Sequence, residues 1–204
     1  IVGLGNIGQL VAKRSVGFEM NLLGYDPVIS ASKAEDLDVK LVGLEELFKQ
    51  SDIVTLHIPE NDETRGLVNR RLLDQMKPGA LLINCARAGV VNEQDVRAAR
   101  KEKELGFCND VYPADEPGEK IVADIADVML PHLGASTYEA NYNAARRAAE
   151  QLIEYSEQGV TRYVVNKGVP DELPDGYQQL AYHIALVGRH YLGVDKPVRN
   201  IKCS

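Results

Sequence analysis

With 204 residues, of which 45% are apolar and 26% charged, the chain has the length and composition of a globular protein with a sizeable core. No apolar run approaches the roughly 20 residues of a membrane span, so we expect no membrane association. The net charge of −7, without clustered Lys and Arg, argues against a nucleic-acid surface and leaves small molecules or proteins as partners.

The three cysteines, Cys85, Cys108 and Cys203, have no metal-ligand spacing and favour reduced thiols in a cytoplasmic compartment. They predict neither a metal site nor a disulfide framework. The chain shows no signal peptide and starts two residues before a glycine-rich turn. We therefore expect a fragment with a truncated first strand, in which a preceding N-terminal half is absent.

A G-x-G-x-x-G pattern, formed by Gly3, Gly5 and Gly8, follows the apolar pair at the start of the chain. In this pattern the first glycine permits a tight turn and the second lets the backbone approach a pyrophosphate. The third lets the following helix pack closely on the strand, while the N-terminal N–H groups of that helix face the anion. The pattern predicts a dinucleotide site.

Asp26 ends the next apolar run, 18 residues after Gly8. A carboxylate at this point accepts hydrogen bonds from ribose hydroxyls and repels a 2′-phosphate, which favours NAD over NADP. The structural alternative is an unrelated turn, set in part by Pro27, in which Asp26 binds only backbone N–H groups.

Short apolar runs then alternate with helical patterns, which predicts an α/β fold with a doubly wound parallel sheet. Strands after the first are predicted at 22–26, 39–41, 53–56, 80–84, 105–109 and 128–130. The first predicted helix carries Ile7, Leu10 and Val11 on one face, and others are predicted at about 44–50, 70–75, 92–103 and 136–158.

The last of these helices is predicted to begin with a capping box of Ser136 and Glu139 and to stop at Gly159. Farther on, glycines and prolines between 168 and 176 predict a linker. We therefore predict a nucleotide-binding domain over 1–167 and the start of an additional domain over 177–204.

Three side chains follow predicted strands at the same edge of the sheet as the glycine turn: Arg87, Glu116 and His132. Oxidation of a 2-hydroxy acid needs a cation for the carboxylate, a base for the hydroxyl proton, and an acid group that orients the base. Arg87 suits bidentate carboxylate recognition, His132 suits the base, and Glu116 suits the orienting acid.

Each of these residues also has a structural interpretation. Arg87 could bridge a surface carboxylate, His132 could bind backbone at a helix entry, and Glu116 could be a solvated loop acid. We expect a structural role for His57. Cys85 has no adjacent base in sequence, so we interpret it as a backbone contact to the cofactor and not as a nucleophile.

Seven stretches carry a family resemblance: G-L-G-N-I-G (3–8), G-Y-D-P (24–27), S-D-I-V-T-L-H-I-P (51–59), M-K-P-G-A (76–80), I-N-C-A-R (83–87), D-V-Y (110–112) and P-H-L-G-A-S-T (131–137). Over about residues 1–167 the chain resembles the Rossmann-type NAD-binding domain of the D-isomer-specific 2-hydroxyacid dehydrogenases. The resemblance implies NAD as cofactor, a small 2-hydroxy acid as substrate, and a homodimer formed through this domain.

By this resemblance, Arg87, Glu116 and His132 fall on the catalytic residues of the family. The implied cofactor site comprises Gly3, Gly5, Asn6, Ile7, Gly8, Asp26, Ile58, Cys85, Ala86, Arg87, Asp110, His132, Gly134 and Ala135. The chain departs from the family at Ala88, where glycine is usual. The loop after Asp110 is one residue longer than usual, so Asp115 competes with Glu116 for the acid role.

Residues 174–201 are similar to the start of an extra domain in long members of the family, which favours 3-phosphoglycerate as the substrate. Another D-2-hydroxy acid is the alternative within the same reaction class. A further alternative, of a different class, is an NAD-sensing dimeric transcriptional corepressor.

Overall fold

The computed structural model describes residues 1–113 and 118–160. It divides into two compact units, Ile1–Gly134 and a second unit that starts at Ala135. The helices of the first unit are α1 (Asn6–Val16), α2 (Ala31–Glu35), α3 (Leu44–Gln50), α4 (Arg70–Leu73) and α5 (Glu93–Lys103). Its strands are β1 (Leu22–Gly24), β2 (Val39–Leu41), β3 (Ile53–Leu56), β4 (Leu81–Asn84), β5 (Gly106–Asn109) and β6 (Val128–Met129).

All paired strands are parallel, with β1 beside β2 and with the order β3, β4, β5, β6 in the larger sheet. Val2 joins the two sheets because it forms parallel bridges to Tyr25 and to Leu56. The chain thus starts in the middle of the sheet, and later strands are added on either side. The predicted doubly wound parallel sheet is confirmed.

Apolar cores lie on both faces of the sheet around its centre. Leu22 packs against a cluster that contains Leu4 and Val39, whereas Leu23 packs against the larger core that contains Val2. Successive residues of a strand point to opposite faces, so the two cores are on opposite sides.

The strand predictions agree with the structure to within one or two residues at each end. Asn92 caps α5 as predicted, since its side chain accepts hydrogen bonds from the backbone N–H groups of Gln94 and Asp95. The helix α2, capped by Ser30, was not predicted. It has five residues and a single buried side chain, Ala34, so it leaves no apolar period in the sequence.

The helix α1 packs through its small residues. Gly8 and Ala12 are buried, whereas Ile7 and Leu10, on the predicted apolar face, are 61% and 47% exposed. A Cβ atom on Gly8 would lie 1.9 Å from the carbonyl oxygen of Gly3, so only glycine permits this approach. Close contact, and not an apolar stripe, decides which face of α1 is covered.

The second unit contains α6 (Tyr138–Gln158). The predicted capping box at Ser136 is wrong by one residue, because Thr137 is the N-cap and accepts a hydrogen bond from the Ala140 N–H. Gly159, with φ +67°, ends the helix as predicted. None of the described helices combines the length and apolar character needed to cross a membrane. The predicted linker and additional domain lie outside the described residues.

Candidate active site

The glycine turn joins the central strand to α1. Gly3 has φ +89°, and a Cβ atom there would lie 2.5 Å from the carbonyl oxygen of His57. Around Gly5, in contrast, an added Cβ would meet no atom within 4 Å among the described residues. Gly5 is also the N-cap of α1 and has no side chain that could cover the first N–H groups of the helix. The turn therefore leaves open space in front of the helix N-terminus, which is the shape that a pyrophosphate requires.

The carboxylate of Asp26 is bound to the backbone of two turns. Its Oδ2 accepts from the Leu4 N–H at 2.7 Å, and its Oδ1 accepts from the N–H groups of Val28 and Ile29 at 2.8 and 3.0 Å. Partial burial raises the pKa of Asp26, but these three hydrogen bonds outweigh burial and leave the pKa below its usual value. Asp26 is therefore an ionised anchor of the glycine turn.

The sequence left two interpretations of Asp26 open, a backbone contact in a turn and a contact to the ribose, and this geometry allows both. Asp26 does bind backbone N–H groups of turns, and among the described residues Oδ2 accepts only the hydrogen bond from Leu4. A carboxylate oxygen has two accepting lone pairs, so Oδ2 retains one for a ribose hydroxyl. The contact to Leu4 also fixes the carboxylate relative to the glycine turn.

Asn84, the last residue of β4, holds the loop that carries Arg87. Asn84 is only 1% exposed. Its Oδ1 accepts from the Ala86 N–H and its Nδ2 donates to the Arg87 carbonyl oxygen, both at 3.1 Å. The Arg87 side chain is exposed, and its Nη1 donates to the Ala86 carbonyl oxygen at 2.6 Å. The backbone on both sides of Ala86 is thus fixed, while the guanidinium faces outward.

Asp110, directly after β5, holds the loop that carries His132. Its Oδ1 accepts from the Leu133 N–H at 2.7 Å, and its Oδ2 accepts from the Gly134 N–H at 3.1 Å. His132 has φ +53°, in the left-handed region. This region is uncommon for a residue with a side chain. Asp110 therefore stabilises the turn that presents the imidazole.

The two loops are linked through their anchors. The Asp110 N–H donates to the Asn84 carbonyl oxygen at 3.0 Å, because β4 and β5 are neighbours with Asn84 opposite Asn109. Arg87 and His132 consequently follow anchors at the same carboxyl edge of the sheet, the edge at which open parallel sheets bind ligands. Glu116 and its competitor Asp115 lie outside the described residues.

Comparison with known proteins shows the family to which the chain belongs. The sequence profile described as "D-isomer specific 2-hydroxyacid dehydrogenase, NAD binding domain" matches residues 1–134. The chain belongs to this family. The D-3-phosphoglycerate dehydrogenase of Synechocystis sp. is 39% identical over 188 residues, which are 91% of this chain and 34% of that protein.

Two other members show the same relationship. The hydroxypyruvate reductase of Thermotoga maritima is 38% identical over 78% of this chain and 52% of its own length. The apo-structure of D-lactate dehydrogenase from Escherichia coli superposes with a TM-score of 0.64, at 31% identity, over 78% of this chain and 50% of that one. This chain thus spans about a third of the Synechocystis relative and about half of the other two.

The remaining residues that the resemblance assigned to the cofactor have the following local environments. Ile58 packs partly against the larger core, and its Cγ2 would lie 2.7 Å from a Cβ atom on Gly3. Asn6 begins α1, where Ile7 is exposed, and Ala86 is buried. Gly134, with φ +39°, ends the first unit, and Ala135 starts the second.

Cys85 is exposed and His57 is half-buried, and the pKa of each is shifted toward the neutral form of the group. Burial raises the pKa of the Cys85 thiol, and the nearby Asp110 and Cys108 raise it further. A protonated thiol is a poor nucleophile. The Nε2 of His57 lies 3.0 Å from Thr55 Oγ1, and burial lowers the pKa of the imidazole. His57 is thus half-buried and in contact with Thr55, and its structural role stays a prediction.

Sequence reasoning did not identify the anchoring roles of three residues that shape the site. Asn84 was part of a motif, Asp110 was assigned only as a cofactor contact, and Glu60 was not singled out. Glu60 lines a cavity of about 720 Å³ beside Arg87, together with Ala88, Gly89, Val91, Asn92, Glu93, Gln94, Tyr112 and Pro113. A polar residue at the end of a buried strand was the available signal for Asn84 and Asp110.

Proposed function

We propose that the chain is the NAD-binding domain of a dehydrogenase that oxidises 3-phosphoglycerate to 3-phosphohydroxypyruvate, in serine biosynthesis. The observation that carries the proposal is the hydrogen bond between Asp110 and Asn84, because it ties the Arg87 loop to the anchor of the His132 loop. Oxidation of a 2-hydroxy acid requires a cation and a base, and Arg87 and His132 offer these groups at the same carboxyl edge of the sheet.

The residues around the glycine turn fit NAD. The space at Gly5 suits the pyrophosphate, and the ionised Asp26 suits the ribose hydroxyls while it disfavours a 2′-phosphate. When bound, the nicotinamide supplies the hydride acceptor. The protein positions the cofactor and supplies the charged groups around it.

In the proposed reaction, Arg87 binds the substrate carboxylate and His132 accepts the proton of the substrate hydroxyl. The Arg87 guanidinium must turn from the Ala86 carbonyl toward the substrate, a change within its own side chain. His132 needs a neighbouring acid to fix its tautomer and to stabilise the imidazolium. We assign that role to Glu116, with Asp115 as the alternative.

The identity of the substrate rests on the Synechocystis relative. The Thermotoga maritima relative supports the runner-up, an enzyme of the same reaction class with another D-2-hydroxy acid as substrate. Among the residues that line the cavity beside Arg87, Glu60 and Glu93 are acidic and Arg87 is the cation. We therefore place recognition of the substrate phosphate in the remainder of a longer protein. We also propose that this protein is a homodimer.

The test is a substrate comparison with the complete protein. NADH formation would be followed with 3-phosphoglycerate, D-glycerate and D-lactate, each at several concentrations. A higher kcat/KM for 3-phosphoglycerate supports the proposal, and a preference for D-glycerate or D-lactate replaces it with the runner-up. The 204-residue chain alone should bind NADH without turnover, since closure around the substrate needs a second domain.

A further inference from the structure

Glu60 connects the loop after β3 to the turn that follows Arg87. Its Oε2 accepts from the Gly89 N–H at 3.2 Å, and its Oε1 lies 3.2 Å from Arg65 Nη2. The Glu60 side chain is 27% exposed, whereas that of Arg65 is 68% exposed. The contact to Gly89 is therefore the better shielded of the two.

Gly89 has no side chain, and this leaves room for the Glu60 carboxylate. A Cβ atom on Gly89 would lie 2.4 to 2.6 Å from the three carboxylate atoms of Glu60. Among the described residues, Gly89 is not one of the glycines with positive φ, so its backbone conformation is open to alanine. An alanine at position 89 would therefore displace the Glu60 carboxylate, the end of a flexible side chain, from the Gly89 N–H.

Backbone hydrogen bonds run along the same two segments. The Gly66 N–H donates to the Gly89 carbonyl oxygen at 2.8 Å, and the Val68 N–H donates to the Val90 carbonyl oxygen at 3.0 Å. The side chain of Glu60 adds a contact to this paired region on the Gly89 N–H, two residues after Arg87. Asn84 binds the backbone before Arg87 and at Arg87 itself.

We infer that Glu60 is a positioning residue for Arg87, because its carboxylate fixes the turn after Arg87 as Asn84 fixes the loop before it. The inference rests on the proposed function, in which Arg87 binds the substrate carboxylate. A guanidinium recognises a carboxylate as a planar fork, so recognition depends on the orientation of the backbone that bears it. Loss of the Glu60 contact should weaken substrate binding more than the chemical step.

Kinetics of the complete protein test this role. Glu60→Ala should raise the KM for 3-phosphoglycerate about 3- to 10-fold, the loss expected for one hydrogen bond, and leave kcat and the KM for NAD nearly unchanged. Glu60→Gln keeps an accepting oxygen, so its KM for 3-phosphoglycerate should stay close to the wild-type value. Glu63→Ala removes an exposed acid of the same loop and is the matched control. An unchanged KM in Glu60→Ala, with an active wild-type protein, overturns the inference.

A double-mutant cycle separates the contact from a general effect on the fold. Gly89→Ala should raise the KM as Glu60→Ala does, because the new methyl group displaces the Glu60 carboxylate. In the Glu60→Ala background the same change should add little, since the obstructing carboxylate is gone. Additive effects of the two substitutions contradict the inference.

A second readout does not depend on the reaction. Trypsin cleavage of the 204-residue chain after Arg87, followed by mass spectrometry, reports opening of this turn. Glu60→Ala and Gly89→Ala should accelerate this cleavage, whereas Glu60→Gln and cleavage after Lys101 in α5 should stay as in wild type. Equal rates in all variants overturn the inference. A wild-type protein that binds NADH but oxidises no D-2-hydroxy acid refutes the proposed function instead.

Discussion

Asp110 accepts a hydrogen bond from the backbone N–H of Leu133 at 2.7 Å and so fixes the residue directly after His132. Its second oxygen binds the Gly134 N–H, so both oxygens serve the same loop. Asp110 is buried, and its own N–H is bound to Asn84. The candidate base is therefore held by a residue on a different strand end.

Asp110→Asn should lower kcat in the complete protein. The amide nitrogen cannot accept from a backbone N–H, so one of the two anchors is lost and His132 moves from its position. Displacement of a catalytic group by about 1 Å can cost up to about 100-fold in rate. Steady-state kinetics with thermal unfolding as a fold check measure this. Asp52→Asn, which alters an exposed pair with Lys77, is the control. An unchanged kcat in Asp110→Asn would show that the anchor is dispensable.

His132→Ala should lower kcat by about 10²- to 10⁴-fold, the range for loss of general acid–base catalysis, with little change in NADH affinity. Because His132 has a left-handed backbone, His132→Asn is the better matched variant: asparagine tolerates that region and is not a base at neutral pH. Activity near wild type in both variants would exclude His132 as the base.

Glu116→Gln should shift the pH profile of kcat more than Asp115→Asn does. The acid that pairs with His132 stabilises the imidazolium formed during the reaction, so its neutralisation should change how kcat depends on pH. The pH dependence of kcat for both variants decides between them. A larger shift in Asp115→Asn would reverse the assignment.

Asp26 should make the chain bind NADH more tightly than NADPH. A 2′-phosphate beside an ionised carboxylate is repelled unless a cation intervenes, and the pKa of Asp26 is lowered. Asp26→Asn should narrow this preference and also lower the melting temperature, because the amide has one accepting oxygen for three backbone N–H groups. Calorimetric titration of both cofactors measures the preference, and comparable wild-type affinities would contradict it.

The lowered pKa of Asp127 leads us to expect that the folded protein loses stability in acid. Hydrogen bonds from Arg100 and from the Phe107 N–H lower the pKa of Asp127 from 3.8 to about 2. A folded-state pKa below the unfolded value contributes stability that is present above the unfolded pKa and is lost as the pH falls through the folded one. The melting temperature of wild type should therefore fall between about pH 4 and pH 2, and Asp127→Asn should flatten this part of the curve. Parallel curves for the two proteins would assign the acid sensitivity to other groups.

The pattern of the sequence determined the sheet, the glycine turn and the positions of the candidate residues. Strands such as β3 and β4 are short, mostly apolar runs between helical patterns, so their positions can be predicted from the sequence pattern. Asn92 caps α5 and Gly159 ends α6 because caps are local: they depend on a few neighbouring residues. For the same reason Gly3 could be identified as the turn residue.

The tertiary structure decided which groups hold the site together. The contacts of Asp110 with Leu133, of Asn84 with Asp110, and of Glu60 with Gly89 join residues that are 23 to 29 positions apart, and no local pattern encodes such a pairing. The face of α1 was decided in the same way, because Gly8 packs on Gly3 and leaves Ile7 exposed. Sequence periodicity reports which side chains are apolar. Close approach between distant backbones is set by the packing of whole elements, and this is why the anchors of Arg87 and His132 could be recognised only in the folded chain.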